Sequence, residues 1–426
     1  MLWLLATQVS GVVVALAVGI LLGRTLGAHG QGLYQLTILV PVALTLILGI
    51  GSGATPSYLI GRGARPESVM GFVVTVAALA TAAAALLLGV VPEIWPAVVR
   101  HAVSNPLRWI LLVYIPLQTF SNGGSQILVA QDRMHGVLWA GLVPRLLQIM
   151  ALVGLLVTRH LTVWTASLVY VGAPLVGVAV IGWYLKSSIK PKWQASVLRQ
   201  GWSFAWRGHF GNVAQFLNYR LGLYLIGLAL TAEAAGLYWL GVTVTELLWY
   251  APAALAGVLL PRVARGEKGG QQSLEVANTL GWGMIGLGIV MAILAPWVLP
   301  ALWGESFRGA VPVLWILLPG AACFTWSKVL TGDLAGRGHP GWGSLSSGMG
   351  LLVLVIGGLV AIATHSLLWM AGTQSLSYVV ATVVVVVGVI KVHKIPKVWA
   401  LLFFPRPQMW QRLMGSWVGS GRRGVL

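Results

Sequence analysis

The chain has 426 residues, 58% of them hydrophobic and 8% charged, with a formal net charge of +18. Soluble domains carry about 25% charged residues, so a soluble fold is excluded, and apolar runs of twenty or more recur from end to end. The composition is that of a polytopic helical membrane protein.

In chain order, apolar runs place twelve spans near 3–23, 33–60, 69–91, 107–130, 136–157, 163–185, 205–230, 236–260, 277–300, 311–334, 345–364 and 367–390. The loops between them alternate in charge. Eighteen of the 27 basic residues lie on one side, among them Arg62, Arg133, Lys186, Lys190 and the seven of the tail; five, including Arg24 and Arg308, lie on the other. The positive-inside rule makes the first side cytoplasmic and puts both termini there. The positive charge thus reflects topology and anionic lipid headgroups, and nucleic acid is not an expected partner. The first span begins almost at Met1, without a basic leader or a small-residue cleavage site, and reads as a retained helix. Cys323 is the single cysteine, so no intrachain disulfide and no cysteine metal site is expected.

The chain resembles itself at a spacing of about 204–206 residues. WILL at 109–112 and QDRMHG at 131–136 recur as WILL at 315–318 and AGRGHPG at 335–341, and LGAHGQGLY (26–34) matches LTAEAAGLY (230–238). With six spans in each half, both halves enter the membrane in the same sense. This is a parallel repeat, with a ligand expected between the halves. The expected fold is therefore an all-α polytopic membrane protein with twelve transmembrane helices in two six-helix lobes around a central cavity. Residues 1–185 form the N-terminal lobe, 186–200 a basic cytoplasmic linker, and 201–390 the C-terminal lobe. Residues 391–426 form a basic cytoplasmic or interfacial tail rich in Trp, Phe and Leu.

Arg220 lies ten residues before Leu230, the outer end of the seventh span. That is about 15 Å of rise, roughly half of a ~30 Å hydrocarbon core, where a charge costs about 2.5–3.5 kcal/mol on insertion scales. On a helical wheel His209, Asn212, Tyr219, Arg220 and Tyr224 share one arc, a polar face that implies a water-filled cavity. Arg145 follows Pro144 in the fifth span. Lys328 lies mid-span in the tenth, at the repeat position of Asn122 in the fourth. Glu246 is the one carboxylate read as lying well inside a span. Arg207 is near enough to the cytoplasmic end to snorkel, and Arg24 and Asp132 read as interfacial. Two readings of Arg220 stay open, an ion pair with Glu246 and an anion-binding group. Cations outnumber carboxylates within the spans, and arginine suits multidentate phosphate recognition. The candidate substrate-binding residues are Arg220, Arg145, Lys328, His209, Asn212, Tyr219, Tyr224 and Asn122, with Glu246 as a candidate ion-pair or coupling residue. No catalytic residue, cofactor or metal is expected.

At RTLGAHGQGLYQL (24–36) the chain resembles the polysaccharide-biosynthesis flippases, oligosaccharide–lipid exporters of the multidrug/oligosaccharidyl-lipid/polysaccharide superfamily. The turn R-x-L-G-x-x-x-x-G-x-Y matches at Arg24, Leu26, Gly27, Gly32 and Tyr34. LNYRLGLYLIG (217–227), the stretch 234–267, LWGESFRGAVPVLWILLPG (302–320) and LAGRGHPGWGS (334–344) follow the same pattern. The resemblance implies two helical bundles, alternating access, and outward passage of a prenyl-diphosphate-linked sugar through a cavity lined by basic residues. One departure stands out. Relatives often carry an acid two residues after the arginine matching Arg220, and here that position is Gly222.

The expected partners are a lipid-linked sugar diphosphate, membrane lipids, and a polysaccharide polymerase or glycosyltransferases. A lipid II flippase and a cation-coupled multidrug extruder are the alternatives within the superfamily. The extruder needs buried carboxylates, which the first six spans lack beyond Asp132 at an end. A membrane glycosyltransferase or polymerase is less favoured, because the outer loops are short and hold only scattered Glu93, Glu233 and Glu305. A P-loop motif is absent from the sequence.

Overall fold

The computed structural model describes residues 2–91, 94–102, 105–186, 190–264 and 270–393, with side chains described from Ser10 onward and outside 102–107, 251 and 254–272. The tail beyond His393, read above as cytoplasmic or interfacial, lies outside the described residues.

The fold is all-helical, with no strand among the described residues. In order come α1 (Leu2–Leu48), α2 (Thr55–Gly61), α3 (Pro66–Val90), α4 (Ala97–Ala102), α5 (Asn105–Leu111), α6 (Tyr114–Ala130) and α7 (Met134–Val157). They are followed by α8 (Val163–Leu185), α9 (Ala195–Ala229), α10 (Ala232–Ala264), α11 (Gly270–Trp303), α12 (Ala310–Gly336), α13 (Gly341–Ala363) and α14 (Leu367–His393). Over the described residues, eight of these are long and apolar enough to cross a membrane. The first two expected spans are one run of helix broken at Gly27, whose φ of 67° and ψ of −177° are open to glycine at little cost. Two expected spans are shorter than the apolar runs suggested. The second stops at Leu48 and resumes as the short α2, and the fourth is interrupted at Leu112–Val113 between α5 and α6.

The helices gather into two compact units, residues to Trp239 with Leu299–Arg308, and Leu240–Val298 with the residues from Gly309 on. In the first, α9 packs beside α1, α2, α3 and α4. Its core joins Phe72, Val73, Ile127, Leu128 and Ile181, with a second cluster of Val14, Val18, Leu22, Tyr34 and Leu152. Arg24, just before the Gly27 break, donates to the carbonyls of Leu302 and Ala301, two of the last acceptors of α11. Arg24 therefore caps a helix C-terminus, which favours a cation. In the second unit α12 is sandwiched and largely buried, with Trp326, Val329, Leu330, Val385 and Val389 in its core.

Gly32 and Gly236 occupy equivalent positions of the internal repeat and meet in the first unit. A methyl group built on Gly32 would lie 1.7 Å from the Ala232 carbonyl oxygen, and one on Gly236 would lie 2.0 Å from that of Ala28. The backbones of α1 and α10 therefore touch where only glycine fits, with Tyr34 and Tyr238 buried beside them.

Candidate functional site

Three helices of the first unit each turn one stripe toward a common space. Tyr114, Gln118, Ser121, Asn122 and Ser125 lie on one face of α6, and Val137, Ala140, Gly141, Pro144, Arg145 and Gln148 on one face of α7. Tyr170, Ala173, Pro174 and Gly177 complete the wall from α8. The cavity they enclose measures about 380 Å³. Each proline lacks an N–H and so frees the carbonyl four residues earlier, here those of Ala140 and Tyr170, both lining residues. A methyl group at Gly177 would sit 3.2 Å from the Ser121 hydroxyl oxygen of α6, so α8 runs close to that wall of the cavity.

Arg145 supplies the cavity's only side chain that is charged at neutral pH among the described lining residues, and that lining holds no carboxylate. Its guanidinium lies flat against Gly11 of α1, about 3.1 Å from where a side chain would begin. Gln118 donates to Asn122 at 2.8 Å, fixing that amide on the wall. At the α8 side three tyrosines cluster. Tyr170 stacks on Tyr114 at 5.4 Å between centroids and meets Tyr34 edge-on at 6.3 Å. The Tyr114 and Tyr170 hydroxyls are 3.5 Å apart. Arg220 of α9 lies within electrostatic range of the Tyr170 hydroxyl. Thus Arg145 and Asn122 share one cavity, and Arg220 approaches the tyrosine that forms part of its wall.

The other α9 residues have different surroundings. The ring Nε2 of His209 is 2.9 Å from the Ile47 carbonyl at the end of α1, and the Tyr224 hydroxyl donates to the Ile94 carbonyl at 2.7 Å. Both contacts tie α9 to the rest of its unit. Tyr219 is half-buried and Asn212 is exposed; neither lines the cavity.

Lys328 and Glu246 belong to the second unit. The Lys328 ammonium sits 5.1 Å from the Phe324 ring centroid and 5.6 Å from that of Trp249. Those two rings and Tyr378 pack at about 5 Å from one another. Trp249 is held by a 2.9 Å bond from its indole N–H to the Ala321 carbonyl. Glu246, nearly one turn before Trp249 on α10, lies within electrostatic range of the ammonium.

One buried charged group escaped the sequence reading. Asp333, fully buried near the end of α12, receives Arg337 Nε at 3.1 Å and is 2.5 Å from His393 Nε2 on α14. The Asp333–Arg337 spacing of four was visible in the sequence; the histidine sixty residues on was not. Among the described residues no group of His, Cys, Asp and Glu gathers as a metal site.

The fold and these sites are those of a multi-pass membrane protein. The chain belongs to the family described as polysaccharide biosynthesis protein, whose model matches residues 21–312. Among solved structures it is similar to the lipid II flippase MurJ in an inward closed conformation, at 13% identity and a TM-score of 0.73, over 91% of this chain and 87% of that one. It is also similar to an inward-facing multidrug resistance MATE transporter of the MOP superfamily, at 15% identity and a TM-score of 0.67, over 91% and 94% of the two chains. A Pyrococcus furiosus transporter of that superfamily, described as having a binding pocket of reverse polarity, matches at 14% identity and a TM-score of 0.61, over 94% of each chain. At these identities the likeness is one of fold. No curated protein matches the sequence significantly.

Proposed function

We propose that the protein is a flippase that moves a prenyl-diphosphate-linked oligosaccharide across the cytoplasmic membrane by alternating access, for cell-surface polysaccharide synthesis. One observation carries this reading: the α6–α8 cavity presents a guanidinium among neutral hydrogen-bonding side chains, with no carboxylate in its described lining. A diphosphate matches a guanidinium in charge and geometry, through short charge-assisted hydrogen bonds. Gln118, Asn122, Ser121, Ser125 and Gln148 offer donors and acceptors suited to sugar hydroxyls. A cavity of about 380 Å³ is at the lower end of the range for ligand pockets, so it takes a headgroup while a prenyl chain stays in lipid. A cationic drug would meet the positive charge of Arg145 in this lining, which disfavours the multidrug reading.

In this proposal lobes 1–185 and 201–390 rock about the basic linker 186–200, and the cytoplasmic side is the one rich in Lys and Arg. Arg220 serves as a second anion-binding group beside Tyr170, and Lys328 with Glu246 as a charge pair farther along the C-terminal lobe. The test is transport in proteoliposomes. Arg220→Ala is expected to abolish transfer of a prenyl-diphosphate sugar while the protein still inserts and remains folded. Full transport by both Arg220→Ala and Arg220→Gln would refute the anion-binding role.

A further inference from the structure

The outer face of α7 and α8 carries a second hollow, unrelated to the polar cavity. Val176, Ala179, Val180 and Trp183 fall at i, i+3, i+4 and i+7 of α8 and so form one stripe. Trp139 of α7 stands opposite, and Tyr184 closes the end. The result is an open-sided slot of about 540 Å³ with a floor of small and branched residues between tall indole walls. The two indoles are not packed away. Trp139 is 43% exposed and Trp183 76% exposed, and Ala179 between them is exposed as well.

The slot has a charged end. The Arg133 guanidinium, from the turn before α7, donates to the Tyr184 carbonyl and so sits at the mouth. Lys186 follows two residues after Tyr184, at the end of α8, and both basic side chains are exposed. Asp132 is the one carboxylate in the segments 131–135 and 184–186. An apolar slot with two cations at one end, at the membrane face expected to be cytoplasmic, matches a lipid with an anionic head. Tryptophan walls suit that depth, where an amphipathic ring meets both chain and headgroup.

We propose that this slot binds one acyl chain of an anionic phospholipid whose phosphate is met by Arg133 and Lys186. A volume of about 540 Å³ is of the order of a single acyl chain, and the occupant proposed is a bilayer lipid rather than a prenyl carrier. The site stands apart from the flippase reading, because lipid retention can be measured without transport.

The experiment is native mass spectrometry of the full chain in detergent, titrated with phosphatidylglycerol or phosphatidylcholine. The wild type is expected to retain one phosphatidylglycerol in preference to phosphatidylcholine. Ala179→Phe, which fills the floor, should lower retention at least tenfold. Lys186→Gln should weaken it about fivefold, the worth of one basic residue at an anionic surface. Leu359→Phe, on a lipid-exposed position of α13, should leave it unchanged. Equal retention of the two lipids would overturn the proposal, as would full retention by Ala179→Phe. Displacement of phosphatidylglycerol by an equal concentration of polyprenyl phosphate would also overturn it, in favour of the carrier.

Discussion

Gly32 and Gly236, 204 residues apart in the chain, face each other across a contact that leaves no room for a side chain on either. The obstacles are backbone atoms of Ala232 and Ala28, which cannot rotate away. Gly32→Ala is therefore expected to destabilise the protein by about 1–3 kcal/mol through overpacking, and Gly236→Ala similarly. Gly61, around which a methyl group would meet nothing within 4 Å, serves as the control, at less than about 1 kcal/mol. Thermal unfolding in detergent checks the difference. A Gly32→Ala variant as stable as Gly61→Ala would show that α1 and α10 can separate without cost.

The same glycines show how much of the fold was legible before the structure. The helices follow from the apolar runs, and the repeated GLY motif marked both ends of this contact. That the two copies meet was not written in the sequence, because a periodicity gives a helix its face but not its neighbour. α9 makes the same point. His209 and Tyr224 do fall on one polar arc, yet they bond the Ile47 and Ile94 carbonyls rather than lining the polar cavity. Arg145 and Asn122 were legible as site candidates, the one by its charge and the other by its repeat position. Gln118, Ser121 and Ser125 were not singled out, since neutral polar residues in membrane helices carry weak signals one at a time. Only their spacing along α6 exposes them. The Tyr34–Tyr114–Tyr170 cluster draws on three helices and has no local signature at all.

Buried Asp333 and His393 form, with half-buried Arg337, a polar cluster whose members depend on one another. A hydrogen bond to a buried charged group is worth about 1.5–3 kcal/mol. Because Asp333 keeps Arg337, His393→Ala is expected to cost about 2 kcal/mol. Asp333→Ala combined with His393→Ala should be less damaging than the sum of the two single changes. A double-mutant cycle on thermal unfolding checks this, and additive losses would mean that the 2.5 Å contact contributes nothing to stability.

Lys328 lies among aromatic rings that would also accept a thioether, since Met makes favourable contacts with ring edges. Lys328→Met is expected to fold and to lower transport at least tenfold. Glu246 would then lose its neighbouring cation, so Lys328→Met and Glu246→Gln should couple by about 1 kcal/mol in stability. If Lys328→Met transports like the wild type, the ammonium has only a structural part.

The position of Arg145 depends on the absence of a side chain at Gly11. Gly11→Leu should push the guanidinium off α1, lowering affinity for a prenyl-diphosphate sugar several-fold with little change in unfolding temperature, because the space it enters is held by the flexible end of a side chain. Unchanged affinity would place the anion elsewhere.

The most direct test is equilibrium binding of a fluorescent prenyl-diphosphate disaccharide to the purified protein in lipid nanodiscs, with Arg145→Gln alongside the wild type. The wild type is expected to bind it, to ignore the matching prenyl alcohol, and to lose at least tenfold in affinity when Arg145 is replaced. Equal binding by wild type and variant, or equal affinity for the uncharged lipid, would contradict a diphosphate held by the α6–α8 cavity.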